Sequence, residues 1–289
     1  MKDVVKGYLL AFVSAFTYGI IPLFMIPLKK LNSFSVDSVL FYRFLIASFF
    51  ILLYLIYQKE NIKINFRKGL VFSVLGVLYA LSAEFLFIAY DFLSPGIAST
   101  IFFIYPIIVA VILGIFFKEK ITFSTAISLI IVVIGVGLLS VKGDFQVNYI
   151  GLSISLLGAL SYALYIILVN KTKINASGIK ISFYSMLFSS VYFFIKTLFT
   201  GETLAIPSIN VGLQIVVFAV VTTSLSVVAL VYAIRFIGST PTAIMGAFEP
   251  IVAVMISVML FGENLTSSLI LGGIIIITGV LLDIIFRKK

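Results

Sequence analysis

Residues 246–263, GAFEPIVAVMISVMLFGE, set a carboxylate and a proline side by side at the head of a long apolar run. Glu249 brings charge where water is excluded, and Pro250 lacks the backbone N–H that a continuous helix uses. The run matches the length that crosses a bilayer, ~20 residues. It is one of ten such stretches, covering 7–28, 36–57, 69–90, 96–117, 122–141, 149–170, 179–199, 211–233, 240–261 and 267–286. The whole chain is 62% hydrophobic and 11% charged, with a mean hydropathy of +1.26. A soluble domain holds roughly 45–50% apolar and about 25% charged residues. The surrounding medium is therefore lipid, and the expected fold is an all-α integral membrane bundle of ten transmembrane helices.

The residue types absent from the chain exclude several chemistries. Cysteine, histidine and tryptophan do not occur, which removes disulfides, thiolate metal sites, imidazole proton relays and Ser–His nucleophiles. No enzyme activity, metal or cofactor is expected. A net charge of +9 would suit nucleic acid, but the Lys and Arg residues lie in short loops between apolar spans. That pattern sets membrane orientation. With the N-terminus inside, fifteen fall on the cytoplasmic side and only Lys29, Lys30, Lys142 and Lys196 outside; Arg43 lies within a span. The expectation is a multi-pass plasma-membrane protein with both termini cytoplasmic. The first apolar run is too long for a cleavable signal peptide and lacks a small-residue cleavage site.

A shift of 144 residues superposes one half of the sequence on the other. Pro106 falls on Pro250, Phe117 on Phe261, Glu119 on Glu263, Thr122 on Thr266 and Gly135 on Gly279. Gly7 falls on Gly151, Ala15 on Ala159, Tyr18 on Tyr162 and Phe92 on Phe236. Small residues recur too: Ala11, Ala15 and Gly19 in one half, and Ser155, Ala159 and Ala163 in the other. Spaced by four, each triplet forms a smooth face on which another helix can pack closely. Residues 1–144 and 145–289 thus read as two five-helix repeats. Five is odd, so the second repeat enters the membrane from the opposite side, as in many secondary transporters.

The segments ASTIFFIYPIIVAVILGIFFKEKIT and AIMGAFEPIVAVMISVMLFGENLT resemble the element that closes the fourth and ninth helices of the drug/metabolite transporter superfamily, EamA type. FYRFLIA, at 41–47, is similar to the second-helix Arg-Phe element of that family. The first repeat has Lys118 where the second has Gly262. The resemblance covers nearly the whole chain and implies export or exchange of a small metabolite. It does not name one, since the family handles amino acids, sugars, nucleotide derivatives, polyamines and drugs.

Candidate site residues follow from polar groups in apolar surroundings. Glu249 lies roughly 13 Å into its span at 1.5 Å per residue, where ionisable groups face a cavity or a partner. With Pro250 it reads as a bent helix that presents a carboxylate and a spare carbonyl, that of Gly246, to a central cavity. The carboxylate would carry protons or balance a substrate amine; the structural alternative is a salt bridge to Arg43. Pro106 marks the matching kink in the first repeat, with Tyr105 at the position of Glu249. Tyr18 and Tyr162 offer stacking faces and hydroxyls to an amphipathic ligand. Glu84 is a second buried acid without a repeat counterpart. Thr222 and Ser226 share a helix face and either line the cavity or bond their own backbone at i−4. Tyr54 and Tyr57 read as interface anchors, and Asp283 and Lys196 as solvated or snorkelling ends. Glu119 and Glu263 read as helix-end or gate groups. The expected function is a secondary transporter working by alternating access on a small amphipathic, amino-acid-like metabolite, with protons as candidate coupling ions. A membrane receptor or a lipid scramblase built on the same bundle is the alternative. The expected partners are the substrate and the lipid bilayer, not nucleic acid, and monomer and homodimer both stay open.

Overall fold

The computed structural model describes residues 2–29, 31, 34–93, 98, 101–139, 148–172, 176–261 and 265–286. Among these the chain is all-helical. The helices are α1 (Lys2–Gly19), α2 (Ile21–Lys29), α3 (Val36–Tyr57), α4 (Phe66–Ala89), α5 (Tyr105–Phe117), α6 (Phe123–Leu139) and α7 (Tyr149–Lys171). Then come α8 (Gly178–Thr200), α9 (Ile209–Ala219), a π-helical segment (Val220–Leu225), α10 (Ser226–Ile237), α11 (Ser239–Met245), α12 (Phe248–Phe261) and α13 (Ser267–Phe286).

Polar residues between the apolar runs start these helices. Ser35 accepts from Ser38 N at 3.1 Å, Asn65 from Lys68 N at 3.0 Å, Asn148 from Ile150 N at 3.0 Å and Ser177 from Lys180 N at 3.1 Å. Each satisfies a backbone donor that the first helical turn leaves open. Gly201 (φ 68°) ends α8 in the left-handed conformation, which glycine adopts without a Cβ clash.

Among the described residues, eight helical runs are long and apolar enough to cross a membrane. Two more apolar helices are shorter, Tyr105–Phe117 and Phe123–Leu138. Many large apolar side chains point outward, Phe49, Leu53, Ile115, Phe116, Leu213 and Ile274 among them. In water such a surface would aggregate; in lipid it is the ordinary exterior.

The helices pack in a pattern that survives exchange of the two halves. α3 lies on α8, and α6 on α13, each pairing equivalent helices. α4 packs on α7 as α10 packs on α1, and α5 meets α7 as α12 meets α1. Glycines make two of these contacts possible. A Cβ on Gly135 would lie 2.7 Å from Ile276, and one on Gly279 2.8 Å from Val132. Similarly, a Cβ on Gly7 would lie 2.5 Å from Ile237, and one on Gly151 2.6 Å from Leu93. In both cases the partners are themselves separated by 144 positions. The small faces around Ala11 and Ala15, and around Ser155, Ala159 and Ala163, are buried in these contacts.

Candidate functional site

The span containing Glu249 is two helices. α11 ends at Met245, Gly246 and Ala247 form a turn, and α12 begins at Phe248. Pro250 therefore sits in the first turn of a new helix, where a missing N–H costs nothing. The Gly246 carbonyl expected to be spare accepts from Glu249 N at 2.9 Å, so a tight turn closes the break. Pro106 likewise lies in the first turn of α5, after a turn at residues 103–104. Both prolines start half-helices inside the apolar zone. Glu249 lies in the first turn of α12, where the helix dipole favours a negative charge.

Glu249 stands deep in the bundle, within electrostatic reach of Arg43, Tyr18, Tyr105 and Tyr162. Part of its surface is nevertheless uncovered. It closes no ion pair with Arg43 among the described residues. Arg43 is 1% exposed. Its Nε donates to Thr223 Oγ1 at 2.6 Å, while Nη2 is buried with no hydrogen-bond partner. The guanidinium lies over the rings of Phe218 at 4.7 Å and of Tyr18 and Phe44 at 5.5 Å, distances at which aromatic faces attract a cation.

Tyrosines form the rest of the wall. Tyr79 donates to Tyr18 at 2.9 Å between hydroxyls. Tyr162 meets Tyr105 edge to face at 4.8 Å between centroids, and Tyr79 meets Tyr165 the same way at 5.0 Å. Tyr105 donates to the Ala243 carbonyl at 3.2 Å, and its hydroxyl fills the place a side chain on Gly246 would take. Tyr18, Arg43, Tyr105, Tyr162 and Glu249 are thus brought together, with Tyr79, Tyr165 and Thr223 beside them.

The other sequence candidates lie elsewhere. Glu84 accepts from Tyr192 and pairs with Lys196 at 2.5 Å, and Lys196 also pairs with Asp37 at 2.7 Å. Lys196 is therefore a bridge between two acids, where a snorkelling end was expected. Asp283 is 1% exposed and accepts from Thr125 at 2.9 Å, so it is not a solvated end either. Thr222 bonds its own backbone, donating to Phe218 O at 2.8 Å. Ser226 reaches across to Ser14, donating to its carbonyl at 3.1 Å. Glu119 pairs with Lys171 near a helix end, and Tyr54 and Tyr57 are exposed at the end of α3. Glu263 lies outside the described residues. A separate cavity of about 250 Å³ between α12 and α13 is lined by Ile251, Val254, Met255, Val258 and Leu269. It offers no polar group and is remote in character from the charged cluster.

Two segments, residues 5–141 and 149–284, match the model of the EamA-like transporter family. The chain belongs to the EamA-like transporter family. It is 25% identical over 258 residues to the "Uncharacterized transporter YyaM" of Bacillus subtilis (strain 168), covering 86% of this chain and 84% of that one. It is also 25% identical over 252 residues to the "Uncharacterized transporter YdfC" of the same organism, covering 86% and 82%. A solved crystal structure shares the fold with a TM-score of 0.83 at 11% identity, over 98% of this chain and 99% of the other. This EamA-like chain is thus a multi-pass membrane protein of a transporter family, built from two copies of one unit.

Proposed function

We propose that this EamA-like transporter is a secondary transporter that exports or exchanges a small amphipathic metabolite by alternating access, with its site at the Arg43–Glu249–tyrosine cluster. The observation that carries this is two ionisable side chains of opposite kind, Arg43 and Glu249, both deep in a lipid-embedded bundle and without an ion pair between them. Left unpaired, each costs several kcal/mol of desolvation, and intramembrane charges of this kind mark ligand and ion pathways. Broken helices at the same level support the reading, since discontinuous helices frame substrate sites in transporters of this type.

The same proposal includes ten spans, two repeats of opposite orientation, both termini cytoplasmic and residence in the plasma membrane. Eight long apolar helices, two shorter ones and the fifteen-to-four charge bias support it. Counterflow of radiolabelled metabolites into proteoliposomes tests the function. Saturable exchange is expected. Binding without flux would make the protein a receptor, and lipid movement without metabolite exchange would make it a scramblase.

A further inference from the structure

Lys196 stands on the seam between the two halves of the chain. Its ammonium pairs with Glu84 of α4 at 2.5 Å and with Asp37 of α3 at 2.7 Å, and Tyr192, one turn back on α8, donates to Glu84. Glu202, beyond the end of α8, accepts from Ser35 just ahead of α3 and lies within electrostatic reach of Asp37. One ammonium therefore faces three carboxylates. The side chains of Lys196 and Asp37 are 28% and 13% exposed, so water reaches the cluster. Tyr42, the next titratable group along α3, is occupied with the Leu204 carbonyl at 2.7 Å. Under the 144-residue shift the equivalents of Asp37, Glu84, Lys196 and Glu202 are Ile181, Val228, Leu52 and Gln58, none of them charged. Along the same seam Ser189 donates to the Gly76 carbonyl at 2.8 Å, where the equivalents are the apolar Leu45 and Val220.

We infer that this cluster is a proton-released gate: it closes one end of the seam by charge, and uptake of a proton by Asp37 or Glu84 frees Lys196 and opens that end. The inference rests on the proposed alternating access. Two opposed repeats with identical sequences would give two access states of equal energy, so the difference between the states lies in contacts that have no equivalent. Here those contacts are ionic at one end of the bundle and aliphatic at the other. At the ionic end a proton passes from water to one carboxylate oxygen. That group becomes neutral, its attraction for the ammonium is lost, and the surplus negative charge of the cluster falls by one. The closing contact is therefore present while the carboxylates are ionised and is lost as pH falls. At the other end Ile181, Val228 and Leu52 offer nothing that binds a proton. Acid thus acts on one access state alone, the one closed at the bridge, and that end faces the exterior in the proposed topology.

Distances between spin labels test this without any substrate, since the native chain has no cysteine to interfere. One labelled pair, Phe92→Cys with Thr200→Cys, spans the bridge end of α4 and α8. A second pair, at the equivalent positions Phe236→Cys and Ile56→Cys, spans the opposite end. Both would be measured in the purified full-length chain in lipid nanodiscs. As pH falls from about 7 to about 4, into the ordinary carboxylate range, the first pair should lengthen. Its ratio of long to short distances should rise about tenfold, the scale for one arm of a partly exposed bridge. Lys196→Met should show the long distance already at neutral pH, and Lys196→Arg should keep the parental response. Asp37→Asn combined with Glu84→Gln should be open at neutral pH and blind to acid. A first pair that ignores acid in the parent overturns the inference, as does an acid response that survives in the double variant. Lengthening of the first pair with shortening of the second supports gate and alternation together. Lengthening of the first with the second fixed leaves the gate standing and sinks the alternation. Saturable metabolite exchange by a protein whose first pair ignores acid would do the opposite.

Discussion

Arg43 donates to Thr223 and lies over three aromatic faces. Thr223→Val keeps the shape of the side chain but strands Nε as well as Nη2. The protein should lose about 1.5–3 kcal/mol of stability, the range for hydrogen bonds to charged groups, with Thr223→Ser close to the parent; thermal unfolding in detergent measures both. Glu249→Gln preserves volume and removes the charge, so insertion and fold should persist. Flux should fall tenfold or more, equivalent to about 1.4 kcal/mol, and exchange at the parental rate would reduce Glu249 to a packing group. Were Arg43 its structural partner, the glutamine variant would instead melt earlier and Arg43→Gln would partly restore it. Glu84→Gln is the contrasting case. It breaks one arm of the Lys196 bridge while Asp37 keeps the other, so the cost is one of stability, about 1–2 kcal/mol for a partly exposed pair, with a smaller loss of flux.

At the scale of the element, the π-helical segment explains where sequence reading stopped. Thr222 and Ser226 share a face at 3.6 residues per turn, so the sequence offers them as a pair that either lines the cavity or bonds its own backbone, and Thr222 does the latter. A π-turn is wider and shifts the face by about a residue. As a result Thr223 points at Arg43, and Ser224 donates five residues back to Ala219 O at 3.2 Å. Apolar composition looks the same on both sides of a helix break, so the spans were legible while the turn at Gly246 and Ala247 read as a kink. Glu249 and Glu84 were legible as buried acids because lipid makes a charge conspicuous, whereas Asp37, in the first turn of α3, was not. Their partners were not: the bridge joins Asp37 and Glu84 to Lys196 across more than a hundred positions, with nothing in local spacing to announce it. The positions equivalent to the bridge are Ile181, Val228 and Leu52, so the latch joins the two halves near one end of the bundle only. Cysteines replacing Glu84 and Lys196, once cross-linked, should abolish exchange, and reduction should restore it; flux unaffected by the cross-link would make the bridge a static strut.

For the whole molecule, the repeat was readable from matched glycines and prolines, and the matched glycines lie where helices approach closely. Orientation remains for experiment. Probes at Lys63, Lys118 and Ser177 should report the cytoplasm, and probes at Ser33, Asp144 and Asn264, which lie outside the described residues, the exterior. A cytoplasmic Asn264 would refute the opposed repeats. Single cysteines at Tyr105 and Glu249 should gain and lose reagent access together as substrate is added, since the native chain has no thiol to interfere. The paired glycine contacts carry a mechanical corollary. When two opposed repeats alternate by trading shapes, the second state is the first with the roles of the halves exchanged. Any contact whose twin already exists in this conformation reappears unchanged in the other. Gly7 against Ile237 has its twin in Gly151 against Leu93, and Gly135 against Ile276 in Gly279 against Val132. Under the proposed alternating access these four points would be the bearings of the motion, and a bridge of chemical cross-linker between α6 and α13 should leave the turnover rate as it was.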